Sequence, residues 1–213
     1  PLDLVDPPRL SFLSIQDSTA LRSGAVEQIR VRADWDRLAP GGLSLAFSPD
    51  GGKTWKTVQS GIDPAVPFEW TVPAGDTDQG ILELSARGTC GYRAVERSRT
   101  FRIDSQPPVA RILGPRFSAR KTVALSISAW DSGPAGLDRL VLYEDVMGGE
   151  PRKVKEFVPA STIEYQASRT GEIGLWLVAI DKAGNRSPLP LEGGEAPFLL
   201  QIDPRGSALT LLS

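Results

Sequence analysis

The sequence predicts an all-β protein made of two successive β-sandwiches, and three observations carry this prediction. Apolar and polar residues alternate with a period of two along many short segments, as in strands with one buried face. Glycine and proline are frequent, with 21 and 18 residues, and they separate the alternating segments. Similar short motifs also recur about 95 to 99 residues apart, a period that suits one sandwich domain.

The recurring motifs stand in the same order in both halves of the chain, as in a duplicated domain. They are Gly51-Gly52 and Gly148-Gly149, Phe68-Glu69-Trp70 and Ile163-Glu164-Tyr165, and Ile103-Asp104 and Ile202-Asp203. A diproline, Pro107-Pro108, stiffens the joint between the copies, and Pro7-Pro8 repeats it near Pro1, whose position predicts a processed product or an excised piece. We therefore expect a linker or the end of an upstream element over 1–8, a first sandwich over 9–104, a diproline linker over 105–108, a second sandwich over 109–203 and a tail over 204–213.

The alternation predicts which residues of each strand face a core. In the first copy these are Ile29, Val31 and Ala33, then Leu43, Leu45 and Phe47, then Leu82, Leu84 and Ala86, and finally Phe101 and Ile103. In the second copy they are Leu125, Ile127 and Ala129, then Leu140 and Leu142, then Leu175, Leu177 and Ala179, and finally Leu200 and Ile202. No segment has a convincing helical period, so no helix is predicted.

Composition excludes several classes of function. The 24 basic and 26 acidic residues are interspersed, so no basic stripe is predicted and nucleic acid is not an expected partner. Histidine is absent, which excludes a Ser-His-Asp relay and removes a common metal ligand. One cysteine allows no intramolecular disulfide, and no apolar run is long enough for a transmembrane segment. We expect no enzyme activity and no catalytic residues.

Residues 48–55 fit the pattern S-x-D-x-G-x-x-W, with Ser48, Asp50, Gly52 and Trp55 at its defined positions. The segment resembles the Asp-box hairpin of bacterial sialidases and their relatives. In that family the Asp box is a structural hairpin away from the active site. The resemblance therefore implies a self-contained turn in the first copy, in which Asp50 accepts hydrogen bonds from turn amides.

The second copy contains the run Ala179-Ile180-Asp181-Lys182-Ala183-Gly184-Asn185, preceded by Trp130-Asp131. This A-x-D-x-A-G-N run resembles the hairpin between the last two strands of bacterial immunoglobulin-like and fibronectin type III-like repeats. The resemblance covers 109–203 well and 9–104 more weakly, because Arg87 stands where the pattern has aspartate. It implies tandem immunoglobulin-like sandwiches, a fold that serves spacers, adhesive surfaces and accessory domains alike.

Three carboxylates are candidate metal ligands. In an immunoglobulin-like fold Asp131 ends strand B and Asp181 ends strand F, so both lie at the pole that faces Asp104 and the incoming linker. Oxygen ligands that converge there predict a Ca²⁺ site similar to the calcium-stiffened joints of cadherins. Aspartates that only cap turns are the alternative. Apart from calcium, no cofactor is expected.

The outward face of the second copy is apolar where that of the first is polar. Its outward residues are Val141, Tyr143, Trp176, Val178 and Ile180, and the corresponding residues of the first copy are Ser44, Ala46, Glu83, Ser85 and Arg87. Strands C and F are neighbours in an immunoglobulin-like sandwich, so the apolar residues predict one partner-binding patch. The β-prone tail, with Leu209 and Leu211, is a second candidate partner-binding segment.

These observations favour a non-catalytic structural and protein-interaction module of an exported bacterial protein, located in the periplasm or at the cell surface. It would act as a rigid spacer and docking subunit, and its partners would be other protein subunits of an envelope or surface complex. The alternative is a carbohydrate-binding or adhesion accessory module of a secreted enzyme or surface protein. Glycan binding needs exposed aromatic faces in a row, so burial of Trp35, Trp70 and Trp130 would argue against it.

Overall fold

A computed structural model describes residues 9–15, 20–89, 91–145, 150–188 and 197–205, and all helical or strand structure within these residues is β-strand. The chain divides into two units, residues 1–105 and 106–213. Each unit has a hydrophobic core of its own, built from the inward residues of two layers of strands. The fold is all-β, with an immunoglobulin-like and fibronectin III-like sandwich as its architecture.

The strands of the first unit are β1 (Arg9–Phe12), β2 (Ala20–Arg22), β3 (Val26–Ile29), β4 (Val31–Asp34), β5 (Leu38–Ser48), β6 (Lys56–Ser60), β7 (Phe68–Thr71), β8 (Thr77–Gly88), β9 (Arg93–Arg97) and β10 (Phe101–Asp104). They form a large sheet with the strand order β2-β10-β8-β5-β6, in which β9 also pairs with β8. Two two-stranded pairs, β1-β4 and β3-β7, complete the sandwich.

The strands of the second unit are β11 (Val109–Gly114), β12 (Phe117–Ser118), β13 (Thr122–Trp130), β14 (Leu137–Glu144), β15 (Arg152–Phe157), β16 (Thr162–Gln166), β17 (Gly171–Asp181) and β18 (Phe198–Ile202). They form a three-stranded sheet in the order β11-β13-β16 and a five-stranded sheet in the order β12-β18-β17-β14-β15. All of these strand pairs are antiparallel except the short edge pair of β12 with β18.

One strand of the first unit is divided where its counterpart is continuous. In the second unit β13 pairs with β11 on one side and with β16 on the other. In the first unit β4 pairs with β1 and β3 pairs with β7, and Arg30 separates β3 from β4. Ile29 and Val31 on either side of Arg30 are both buried, so the interruption leaves the inward alternation intact.

The alternation in the sequence places the core residues correctly. Leu43, Leu45, Leu82 and Leu84 are fully buried in the first unit, and Leu140, Leu175 and Leu200 are at most 1% exposed in the second. The core of the first unit also holds three aromatic rings, Phe47, Trp70 and Phe101, whose centroids lie 5.6 to 6.1 Å apart. Such ring clusters add to the stability that burial supplies. The opposite faces of the same strands are therefore the surfaces available for function.

Candidate functional site

The outer face of the five-stranded sheet carries the apolar residues that the sequence singled out. Val141 lies directly opposite Val178, and Tyr143 lies directly opposite Trp176, on the neighbouring strands β14 and β17. Ile180 is on the same face of β17. The intervening residues of both strands point into the core. We call Val141, Tyr143, Trp176, Val178 and Ile180 the apolar sheet face.

Solvent reaches only part of the apolar sheet face. Val141 and Val178 are buried, with 3% and 2% of their surface exposed, so these two side chains offer almost no contact area to a partner. Tyr143, Trp176 and Ile180 are partly exposed. The expectation of five accessible apolar residues is thus wrong for the valine pair, because each valine is flanked along its strand by larger side chains of the same face.

Two further apolar residues extend this surface, and the sequence reasoning missed both. Leu199, which lies opposite Gly174, is 41% exposed, and Phe117, which lies opposite Gln201, is 46% exposed. Both point to the outer side of the sheet, since their neighbours Phe198, Leu200 and Ile202 are buried. The alternation around Leu199 could have predicted that this residue faces outward, but the predicted patch included only strands C and F and not this last strand.

Charged residues border the apolar sheet face on its β15 side. Glu156, which lies opposite Val141, accepts a hydrogen bond from Lys153 Nζ at 2.5 Å and forms an ion pair with Arg139 at 3.1 Å. The hydrogen bond from Lys153 lowers the pKa of the Glu156 carboxyl below its usual value, and the charge of Arg139 adds to this effect. An apolar centre with a polar rim is the usual anatomy of a protein interface.

The second candidate partner-binding segment, with Leu209 and Leu211, lies outside the described residues. Its role stays a prediction.

Two of the three candidate calcium ligands belong to the second unit. Asp181 ends β17, and its carboxylate accepts hydrogen bonds from the backbone N–H groups of Ala183 and Asn185 and from the Asn185 side chain, at 2.8 to 2.9 Å. Asp131 follows β13, and its Oδ1 accepts the Gly133 N–H at 3.0 Å. A carboxylate oxygen of Asp131 lies within 4.8 Å of one of Asp181. Asp104 is the last residue of β10 in the first unit, and calcium binding by the three residues stays a prediction.

A buried carboxylate with charged neighbours lies at the end of β14, where the sequence reasoning saw none. Glu144 is 2% exposed and accepts a hydrogen bond from Ser168. Arg169 and Arg152 each lie 3.6 Å from its carboxylate. Tyr165 is buried in the same region, and its burial, together with the negative charge of Glu144, raises the pKa of its phenol. Glu144 continues the inward alternation of Leu140 and Leu142, which is a signal that sequence reasoning could have used.

The hairpin at residues 48–55 is held together by its own side chains. Asp50 Oδ1 accepts the backbone N–H groups of Lys53 and Thr54 at 3.0 and 2.9 Å, and Oδ2 accepts the Thr54 hydroxyl at 2.6 Å. Ser48 Oγ accepts the Gly52 N–H at 2.7 Å, and Trp55 Nε1 donates to the Gly52 carbonyl at 3.0 Å. The side chains of Ser48, Asp50 and Trp55 are thus occupied within the turn. Two of its backbone groups bond β8 instead, since the Gly51 N–H donates to the Gln79 carbonyl at 3.0 Å and the Pro49 carbonyl accepts the Thr77 hydroxyl at 2.6 Å.

The hydrogen bonds to Asp50 predict how this hairpin responds to acid. The Thr54 hydroxyl and amide hold the pKa of the Asp50 carboxyl well below its usual range. Because the folded-state pKa is lowered, the stabilisation is fully present above the unfolded-state pKa, near 4, and is lost only as the pH falls through the lower folded-state value. In an NMR titration we expect the Lys53 and Thr54 amide shifts to stay native down to about pH 3. In the Asp50→Asn variant this carboxyl titration should disappear, and a wild-type midpoint near pH 4 would contradict the assignment.

Trp35, Trp70 and Trp130, whose burial is the criterion against glycan binding, do not form an aromatic platform. Trp70 is buried in the first core at 4% exposure, and Trp35 is partly buried against the same core. Trp130, in the second unit, is 45% exposed and has the Arg111 guanidinium over its ring at 5.7 Å. Of these three tryptophans only Trp130 is exposed, so they do not supply the row of exposed rings that glycan binding needs.

Two solved structures resemble this fold at low sequence identity. One is the structure of the fibronectin(III)-like modules of Clostridium thermocellum CbhA. The superposition covers 92% of this chain and 96% of the CbhA chain, with 14% sequence identity and a TM-score of 0.52. The other contains the three N-terminal domains of the Highly Immunogenic Outer Capsid protein (Hoc) of bacteriophage RB49. Here the superposition covers 92% of this chain and 69% of the Hoc chain, with 10% sequence identity and a TM-score of 0.51. The sequence matches no protein-family model and no curated protein. At such identities the likeness shows the fold alone.

No helix among the described residues is long and apolar enough to cross a bilayer.

Proposed function

We propose that this chain is a non-catalytic structural and protein-interaction module that docks to a partner protein through the apolar sheet face of its second unit. The observation that carries the proposal is the partly exposed set of Tyr143, Trp176 and Ile180 on one sheet face, extended by Leu199. Large aromatic side chains at the centre of a surface, bordered by charges, are the usual source of binding energy in protein interfaces.

The first unit supports this proposal by contrast. Its sheet has Glu83, Ser85 and Arg87 on β8 where the second unit has Trp176, Val178 and Ile180 on β17. The two units share one architecture, so the fold itself does not demand an apolar outer face. The difference is best explained by a contact that only the second unit makes.

The cellular setting is the less direct part of the proposal. A diproline joint, Pro107-Pro108, suits a stiff spacer, and the resemblance to bacterial immunoglobulin-like repeats favours an exported protein of the periplasm or the cell surface. The partners would then be other subunits of an envelope or surface complex. The absence of histidine from the chain is consistent with a non-catalytic role.

Photo-crosslinking within the source cell tests the docking proposal. A photoreactive residue at Tyr143 of the full chain is expected to capture one partner, and the same group at Trp130, which is exposed on β13 in the opposite sheet of the unit, should not capture it. With that partner purified, Trp176→Glu should weaken binding by roughly 30-fold or more, since hot-spot aromatics contribute about 2 kcal/mol or more. Trp130→Glu, which also replaces an exposed tryptophan with glutamate, should leave affinity nearly unchanged.

The fold of the variant is checked by its thermal transition. Trp176 faces away from the core, so Trp176→Glu should keep the second unit folded. Equal capture from positions 143 and 130, or unchanged affinity in Trp176→Glu, would exclude the apolar sheet face as the docking site.

A further inference from the structure

Three arginines lie together on the outer face of the large sheet in the first unit. Arg87 of β8 lies directly opposite Arg93 of β9, and Arg97 of β9 lies opposite Glu83 of β8. All three guanidinium groups are accessible, with 68% of the Arg93 side chain and 56% of the Arg97 side chain exposed. We call Arg87, Arg93 and Arg97 the arginine face.

Glu83 does not neutralise this positive charge. Its two carboxylate oxygens are shared, one at 3.0 Å from Arg97 and the other at 4.0 Å from Arg93. Within the described part of the chain Arg87 has no ion pair, and its cross-strand neighbour is another arginine. Like charges directly opposite each other destabilise a sheet. An exposed residue pair that costs stability points to a role in binding an anion.

Protection of an exposed strand edge does not account for this arrangement. Charged residues commonly occupy edge strands, where they prevent pairing with other chains. Arg93 and Arg97 are on β9, which pairs only with β8, but Arg87 is on β8, which pairs with β5 on one side and β9 on the other. Arg87 therefore belongs to the interior of the sheet, where no edge needs protection.

One end of the arginine face is held in place before any ligand arrives. The Arg97 guanidinium lies 5.1 Å from the centre of the Trp55 ring, and its Nε donates to Glu83. Trp55 is itself anchored by its hydrogen bond to the Gly52 carbonyl. A preorganised guanidinium loses less conformational entropy when it binds a planar or tetrahedral anion.

We propose that the arginine face binds an acidic polysaccharide through its carboxylate or sulfate groups. Arginine forks form paired, charge-assisted hydrogen bonds with such groups. The rest of this face is hydroxylic and small, with Ser44 and Ser85 hydrogen-bonded to each other at 2.8 Å, and Val95 is its exposed apolar residue at 45%. A protein interface would need a larger apolar centre. Specific DNA contacts typically neutralise about 6–10 phosphates, more than three arginines and a glutamate provide.

Binding of the full chain to dextran sulfate and to polygalacturonate tests this proposal, with uncharged dextran as the reference polymer. Wild-type protein should bind both acidic polymers at about 50 mM salt, bind dextran negligibly, and lose affinity as salt rises. The Arg87→Ser/Arg93→Ser variant should lose at least tenfold in affinity, since hydrogen bonds to charged groups are each worth that much or more. Arg87→Lys/Arg93→Lys should recover part of the loss.

The matched control removes two arginines from another sheet of the same unit. Arg9 lies on β1 and Arg32 on β4, and Arg9→Ser/Arg32→Ser makes the same change in net charge. This control should bind within about twofold of wild type, because the ligand contacts are elsewhere. The Arg87→Ser/Arg93→Ser variant should unfold at the wild-type temperature or above it, because a like-charge pair has been removed.

Three results would overturn the proposal. The first is no binding of either acidic polymer at about 50 mM salt, where electrostatic attraction is strong. The second is an equal loss of affinity in the two double variants, which would indicate attraction by net charge alone. The third is equally tight binding of polyglutamate or duplex DNA, which would replace the polysaccharide by an acidic protein or a nucleic acid.

Discussion

A Phe101→Ala variant is expected to lose about 3–5 kcal/mol of the free energy of unfolding of the first unit, the usual cost of truncating a buried phenylalanine. Phe101 is 1% exposed, and its ring lies 6.1 Å from that of Phe47 and 6.0 Å from that of Trp70. The ring also covers the backbone of β8, since a Cβ added to Gly80 would lie 2.7 Å from it. Its removal leaves a cavity that neighbouring strands cannot fill without breaking their pairing.

Differential scanning calorimetry of the full chain measures this effect. Each unit has its own core, so Phe101→Ala should lower the transition of the first unit and leave that of the second near its wild-type temperature. Val26→Ala, at a position 57% exposed in the same unit, should change stability by less than about 0.5 kcal/mol. A shift of equal size in both transitions would mean that the two units do not unfold separately.

An Arg169→Ala variant is expected to destabilise the second unit by roughly 2–3 kcal/mol, because it leaves Glu144 buried with less compensation. Breaking a buried pair from one side commonly costs about 3–5 kcal/mol, and the estimate is lower here since Arg152 and Ser168 still contact the carboxylate. Arg169 also bonds Asp145 at 2.8 Å, so the variant frees a second carboxylate at the surface.

The double variant Glu144→Leu/Arg169→Met separates the cost of leaving the Glu144 charge uncompensated from the cost of losing the packing of the Arg169 side chain. Replacing a buried ion pair by apolar residues of similar size is often neutral or stabilising, so the double variant should recover most of the loss caused by Arg169→Ala. Urea denaturation, followed through the unfolding transition of the second unit, gives the free energy of unfolding of this unit in both variants. If the double variant is as unstable as Arg169→Ala, the arginine contributes through packing and not through the charge of Glu144.

For the candidate surfaces, the sequence predicted the direction in which each side chain points, but not how much of that side chain solvent reaches. The period of two correctly placed Tyr143, Trp176 and Ile180 on the face opposite the core, because alternation fixes the direction of each side chain in a strand. It could not show that Val141 and Val178 are covered, since coverage depends on the length and rotamer of side chains from neighbouring strands. Leu199 joined the surface only through the pairing of β18 with β17.

The arginine face was likewise not predicted from the sequence. The sequence contains no run of more than two adjacent basic residues, although five arginines stand within residues 87–102. Arg87 and Arg93 become neighbours through the pairing of β8 with β9, and Arg97 contacts the ring of Trp55 from a distant part of the chain. Which of these arginines share one face therefore depends on strand register and not on their spacing alone.

The all-β class, the inward set of core residues and the hairpin at Asp50 could be predicted from the sequence, because each depends on local alternation or on hydrogen bonds within a few residues. The fold was needed to show which outward residues are neighbours, which of them solvent reaches, and that Arg152 and Arg169 meet the buried carboxylate of Glu144. Strand register and side-chain coverage are properties of pairs of strands distant in sequence, whereas alternation is a property of one strand alone.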